Sequence, residues 1–281
     1  MVDELMELYP EPGARRRLEG TYLAEDIHTL GSPERPFVYA NFVTSLDGRI
    51  ALADEPGDRS HVPKYLTSAR DFRLFQELQA HADCLVTHSG YLRALAEGRL
   101  GDILQVGISS RARDIGEWRQ ARGLTHQPAV AIVSRSLDFP LPPSLAHHGQ
   151  AVIIITGGDA PPRRVDYWRG QGYPVIASAP GALVDGAFMA RTLGEMGYRR
   201  LYLLTGPRML ASTLADGVLA RLYLTLNHRI LGGEAFHTPA FGPELGDTGR
   251  LRMRSLHYDP GPPQATGQWF AAFETNARND W

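Results

Sequence analysis

The chain has 281 residues, 43% of them hydrophobic and 21% charged, enough to bury a sizeable core in one large α/β domain or two small ones. Its 29 Lys and Arg against 31 Asp and Glu give a formal charge of -2, which excludes a strongly basic nucleic-acid binder but not a local basic cleft. One cysteine, Cys84, excludes an intrachain disulfide, an Fe–S cluster and a Cys-x-x-Cys zinc half-site.

Along the chain, residues 1–35 are polar and rich in Pro, Gly and Arg, and read as an arm or short helix ahead of a single domain over 36–281. The acidic start lacks the basic and apolar regions of a signal peptide, and no apolar run approaches the roughly 18–20 residues of a membrane span. A soluble cytoplasmic protein is expected, with neither membrane nor nucleic acid as partner. From Phe37, β-rich runs recur at 37–43, 83–87, 129–134, 151–156, 173–178, 200–205 and 221–227. The middle ones are nearly continuous in Val, Ile and Leu, as in parallel strands buried on both faces. Cys84 lies in such a run and reads as core rather than nucleophile.

Helical patterns lie between these runs. Residues 67–80 place Phe72, Phe75, Leu78 and Ala82 on one stripe behind the capping candidates Thr67 and Ser68. Residues 97–127 are a polar, Gly-containing insert with a helix at 114–122. Residues 185–196 run from a capping Asp185 to a stop at Gly197, and 207–215 begin on Pro207. Segments 251–259 and 268–275 flank a Pro/Gly turn and read as an antiparallel hairpin closing one sheet edge. The expected class is therefore α/β, with a mostly parallel central sheet, helices on both faces and an antiparallel C-terminal hairpin.

In such sheets ligands bind beyond the carboxyl ends of the strands. Those ends carry Gly90, Ser134-Arg135, Gly157-Gly158 and Gly206-Pro207, and glycine before a helix start suits a phosphate. Thr205 to Leu210 is the strongest pyrophosphate cradle, or else an ordinary strand–helix connection. Arg135 is either a bidentate partner for a 2′-phosphate or a solvated surface arginine. Neither G-x-G-x-x-G nor a Walker motif is present, and the ten histidines show no tight metal spacing, so no metal is expected. Asn41, Ser45 and Asp47 gather at the end of the first strand, where Asp47-Gly48 makes a turn; they read as a site or as turn chemistry.

Ser45-Leu46-Asp47-Gly48, the helix and strand of 67–86, the Gly-Pro loop of 200–215 and Leu224–Gly233 together resemble the reductase domain of riboflavin biosynthesis over about 35–275. That resemblance implies a dihydrofolate-reductase-like fold, a homodimer, and NADPH-dependent reduction of a ribosylamino pyrimidine phosphate. The resemblance reaches the reductase half alone, and the zinc deaminase found in bifunctional relatives is expected to be missing. It further implies NADPH contacts from Val43, Gly90, Gly206, Pro207, Arg208, Met209 and Leu210, to which the reading of the strand ends adds Ser134 and Arg135. Substrate contacts would come from Asn41, Ser45, Gln79, Tyr91 and Arg93, with Asp47 as the catalytic candidate, orienting substrate or relaying a proton. Gln79 stands where relatives carry Arg, Tyr91 for Thr, Leu95 for Asp and Leu204 for Glu. Two alternatives follow: a same-fold reductase of another heterocyclic or sugar-derived carbonyl, or a non-catalytic nucleotide-binding paralogue.

Overall fold

The computed structural model describes residues 4–53 and 61–275. It shows an α/β protein in two compact units, the first Met1–Asp26, Val38–Leu78 and Gly206–Trp281, the second Ile27–Phe37 and Gln79–Thr205. Numbered in chain order, the first unit holds β1 (Glu4–Tyr9), β2 (Arg15–Arg17), β3 (Phe37–Ser45), β4 (Ala51–Ala53), most of α1 (Ala69–Ala80), then α7 (Pro207–Ala215), β10 (Leu219–Asn227), β11 (Ala235–His237), β12 (Leu251–Asp259) and β13 (Gln268–Thr275). The second holds β5 (Cys84–His88), α2 (Ser89–Ala96), α3 (Arg113–Ala121), β6 (Ala129–Val133), α4 (Pro143–His147), β7 (Val152–Thr156), α5 (Pro162–Gly170), β8 (Val175–Ala177), α6 (Gly186–Glu195) and β9 (Arg200–Leu203).

In the second unit the strands run parallel in the order β9-β5-β6-β7-β8. Burial on both faces explains their unbroken apolar sequences: every residue of β7 is buried, as are the first four of β5 and β6. Cys84 is fully buried among them, and burial pushes its thiol well above the usual range, so it stays protonated. The expected helix ends hold at α6, where the Asp185 carboxylate accepts from the Phe188 amide at 2.7 Å.

The first unit is antiparallel in the order β2-β1-β12-β13-β10, with β3 alone parallel to β10. The C-terminal hairpin therefore does not close this edge as expected. Its open strand β12 is paired by β1, from the expected arm, and β2 becomes the border. Arg15, Arg16 and Arg17 on that border are all exposed, a charged edge that discourages further pairing.

Helix α1 starts at Ala69, where the Ser68 hydroxyl accepts from the Asp71 amide at 3.0 Å. Of the expected stripe Leu78 and Ala82 are buried and Phe75 half-buried, but Phe72 is 46% exposed, and Leu74, Asp71 and Glu77 are buried instead. The reason is polar. Glu77 accepts from the main-chain amides of Gly20 at 2.6 Å and Tyr22 at 2.9 Å and from Arg73 at 3.0 Å, so the N-terminal segment docks onto a buried carboxylate.

The 97–127 insert is pinned by side chains that pair with backbone. Gln127 donates to the Val106 carbonyl and accepts from its amide, both at 2.8 Å. Arg119, 1% exposed, donates to the carbonyls of Ala80 at 2.7 Å and Ala82 at 3.0 Å and to that of Thr125. Gly107 (φ +70) lets the insert fold on itself, since a Cβ there would lie 2.5 Å from Gly116 Cα.

Asp71 gives this fold a pH signature. Burial raises its carboxyl to about 6, only partly opposed by a hydrogen bond from Thr225. A carboxyl less acidic when folded favours the folded state below the unfolded value of 3.8 and loses that advantage as pH rises to about 6. Asp71→Asn should therefore stabilise the protein by about 1–3 kcal/mol at pH 7–8 and remove that slope, measured by urea unfolding across pH.

Candidate functional site

In the first unit, β3 and β10 run side by side with Tyr223 opposite Asn41, Thr225 opposite Val43 and Asn227 opposite Ser45. The two-residue period puts Asn41, Val43 and Ser45 on one face, with Ser45 at the carboxyl end. The chain then turns: the Gly48 amide donates to the Ser45 carbonyl at 3.0 Å, and the Ser45 amide to the Arg49 carbonyl at 3.0 Å. Gly48 is left-handed (φ +77), which a glycine adopts without cost.

Asp47 joins this turn to the loop after β10. Its Oδ1 accepts from the Ser45 hydroxyl and the Leu231 amide at 3.1 Å; its Oδ2 accepts from the Arg49 guanidinium and the Gly232 amide at 2.9 Å. Burial alone would raise the carboxyl, but the Ser45 hydroxyl, the Gly232 and Leu231 amides and Arg49 together hold it well below the usual carboxylate range. Arg49 lies 4.2 Å above the Phe236 ring and donates to the Gly233 carbonyl at 3.2 Å. Strand β4 pairs with β11 directly behind, Leu52 opposite Phe236. Arg49, Leu231 and Gly232 had no assigned role in the sequence reading; Arg49 directly follows the Asp47-Gly48 turn, and Leu231 and Gly232 lie in the Ile-Leu-Gly-Gly segment.

The same unit carries the Gly206-Pro207 helix start. Gly206 caps α7 with extended backbone (φ -82, ψ 179), Pro207 takes the first turn, and no side chain caps the helix amides. The Gly206 carbonyl accepts from Met209 at 3.1 Å, and a Cβ at 206 would meet nothing within 4 Å, so the backbone is approachable. Arg208 is exposed and lies 4.7 Å over Phe241. Met209 is half-buried, whereas the Leu210 side chain is in the core at 1% exposure.

In the second unit Gly90 sits in the first turn of α2, where a Cβ would come within 2.9 Å of His88 Nδ1. Burial and then the charge of Arg93 lower the pKa of His88, which favours neutral imidazole. The polar ends of the expected substrate residues go to backbone. Gln79, 1% exposed, donates to the Ile103 carbonyl at 2.5 Å. The Tyr91 hydroxyl accepts from the Ile103 amide at 3.0 Å and donates to the Gly101 carbonyl at 2.9 Å. Arg93 donates to the Asp138 carbonyl at 2.7 Å. Leu95 and Leu204 pack against the apolar cluster that contains Tyr91, Leu92 and Leu104.

Ser134 ends β6 with its hydroxyl buried, accepting from the Leu137 amide at 3.0 Å. Leu137 is left-handed (φ +54) and fully buried, and its carbonyl accepts from the Trp168 indole at 3.0 Å. Such a backbone is costly for leucine and is held here by packing on both sides. The turn leaves Arg135 exposed at its tip. Among the described residues no group of three or more His, Cys, Asp or Glu is placed to hold a metal, and no helix is long and apolar enough to cross a membrane.

These features define an α/β protein with a glycine turn and a glycine-opened helix start in one unit, and a glycine in a helix's first turn and a tight serine turn beyond strand ends in the other. The chain belongs to the RibD C-terminal domain family, whose model matches residues 36–261. Among solved structures it is similar to a pyrimidine reductase-like protein from Corynebacterium diphtheriae (22% identity, 85% of this chain and 92% of that one, TM-score 0.63). It is also similar to Acinetobacter baumannii RibD (15%, 86% and 58%, TM-score 0.57). A third likeness is to a Thermotoga maritima deaminase/reductase for a phosphoribosylaminopyrimidine and a phosphoribosylaminouracil (15%, 86% and 57%, TM-score 0.56). The chain thus spans somewhat more than half the length of the last two, and identities this low show a shared fold. No relative among curated proteins matches the chain.

Asp47→Asn should cost about 2 kcal/mol in chemical denaturation at pH 7, through loss of charge-assisted hydrogen bonds. A carboxyl more acidic when folded contributes fully above the unfolded value of 3.8, and that contribution is lost as pH falls towards the folded value. The wild type should therefore show a steeper loss of stability below that pH than the asparagine variant.

Proposed function

We propose that the chain is an NADPH-dependent reductase resembling 5-amino-6-(5-phosphoribosylamino)uracil reductase of riboflavin biosynthesis. Family membership over residues 36–261 carries this reading, joined to the open Gly206 position at the start of α7. The residues present fit the cofactor. The uncapped amides of α7 and the exposed Arg208 suit a pyrophosphate.

When bound, NADPH supplies hydride to a carbonyl or imine carbon. The chain's part is to position the reactants and exclude water, which asks for no covalent nucleophile. Asn41 and Val43 offer a wall on β3, and the Ser45 hydroxyl donates a hydrogen bond to Asp47. Asp47 acts as a positioning residue in this reading. Relaying a proton would require a carboxylate with both oxygens engaged to release the loop it holds.

A second reading keeps the fold and cofactor but changes the substrate. It is favoured because Gln79 and Tyr91 spend their polar groups on the insert, and Leu95 and Leu204 lie in apolar packing. A phosphorylated pyrimidine finds little charge at those positions.

Calorimetric titration with NADPH and NADH, then NADPH oxidation with the ribosylaminopyrimidine phosphate, separates the readings. The first predicts NADPH binding and oxidation. Binding without oxidation points to the second reading or to a non-catalytic paralogue, and failure to bind either nucleotide overturns the cofactor assignment.

A further inference from the structure

The second unit has a concave face far from the strand ends considered so far. At the amino ends of β5, β6, β7 and β9 a cavity of about 500 Å³ opens, bordered by Asp83, His126, His148, Tyr198, Arg199 and Arg200, with Thr125 beside them. Strands rise about 3.3 Å per residue, so the length of these strands separates this cavity from Gly90 and Ser134 at the carboxyl ends.

Its one acidic lining residue is already engaged. Asp83 Oδ1 accepts from the Arg200 guanidinium at 2.5 Å, and Oδ2 accepts from the main-chain amides of Arg199 at 3.0 Å and Arg200 at 3.3 Å. The Asp83 carbonyl also accepts from Ala129 at 2.9 Å, and its amide donates to the Arg200 carbonyl at 3.0 Å, so the wall is rigid. Arg200 is 11% exposed at its side chain, and its Nε is buried without a partner among the described residues. Arg199 stands exposed on the rim, close enough to the exposed Glu34 to influence its carboxyl. Behind Thr125, the buried Arg119 donates to the Thr125 carbonyl at 2.8 Å.

In the lining Arg199 and Arg200 meet one carboxylate, Asp83, with Arg119 behind Thr125 and Glu34 beside Arg199, and the imidazoles of His126 and His148 add two further donors or acceptors. Around this concavity the named positive groups outnumber the named negative ones by one, and the volume suits a small metabolite. We propose that this cavity is a binding site for a small phosphorylated molecule. The phosphate is held by Arg199 with His126 and His148, against the fixed Asp83–Arg200 wall. Guanidinium and imidazole donors together match the several acceptor oxygens of a phosphate, and three of the acceptor positions of Asp83 are already taken by Arg199 and Arg200. The site is independent of the NADPH reading, because it uses neither the carboxyl ends of the strands nor the Gly206 helix start.

The test is calorimetric titration of the full chain with inorganic phosphate at low ionic strength, for the wild type and for Arg199→Ala/His148→Ala. Both substituted side chains border solvent, and the thermal unfolding of the variant without phosphate should match the wild type. The expected result is saturable binding to the wild type, weakened at least about tenfold in the variant, with a phosphate-induced rise in Tm lost in parallel. NADPH titration of the same variant should be unchanged. Absence of phosphate binding to the wild type overturns the proposal. So does equal affinity in the variant, because the phosphate would then sit elsewhere, as at the positions offered to the cofactor.

Discussion

The first unit turns on one carboxylate. Asp47 bonds to the hydroxyl two residues before it, the guanidinium two residues after it and two successive amides at 231 and 232. An aspartate in an ordinary turn satisfies its own turn and nothing more. Here the same group fixes where the chain goes after β10 and, through Arg49 over Phe236, where the β4–β11 ribbon starts. Its ionised form outweighs the penalty of burial because four donors converge on it, an arrangement that neither a glutamate nor an asparagine reproduces.

The second unit uses the opposite device. Buried neutral amides, a tyrosine and an arginine seize backbone groups of an irregular segment that has no ladder of its own. Gln79 and Tyr91 take the carbonyl and the amide of Ile103, while Gln127 takes both groups of Val106. Each buried peptide group of such a loop must find a partner or carry a penalty of about 1–3 kcal/mol. Side chains that resemble substrate ligands in a linear reading are thereby recruited to architecture. Leu95 and Leu204 complete this change by packing against the apolar cluster, which gives the second unit an apolar wall at the two positions where the resemblance places Asp and Glu in relatives.

Much of the fold was legible because strong local signals agreed with tertiary packing. The unbroken apolar runs became β5, β6 and β7, and Asp185 and Pro207 marked the starts of α6 and α7. The stripe on α1 was right at Leu78 and Ala82 but wrong at Phe72, because Asp71 and Glu77 are buried and periodicity assigns carboxylates to the solvent side. Their partners lie far away in sequence, at Thr225, Gly20 and Tyr22. The edge strands β1 and β2 were hidden for a related reason: an arginine-rich, polar segment gains its strand conformation only from the open edge of β12. Within the site, Ser45, Asp47, Gly48 and Gly206 were visible through turn and helix-start chemistry. That Gln79 and Tyr91 turn inwards depends on the path of the 97–127 insert, which no local pattern encodes.

Hydrogen exchange over residues 229–233 tests the role of Asp47 most directly. The wild-type amides of Leu231 and Gly232 should be protected, and Asp47→Ala should speed their exchange at least about tenfold, as expected for losing a charge-assisted hydrogen bond, while β5, β6 and β7 exchange as before. Unchanged protection at 231 and 232 in a folded Asp47→Ala protein would contradict the account, because the loop would then be held by something other than this carboxylate.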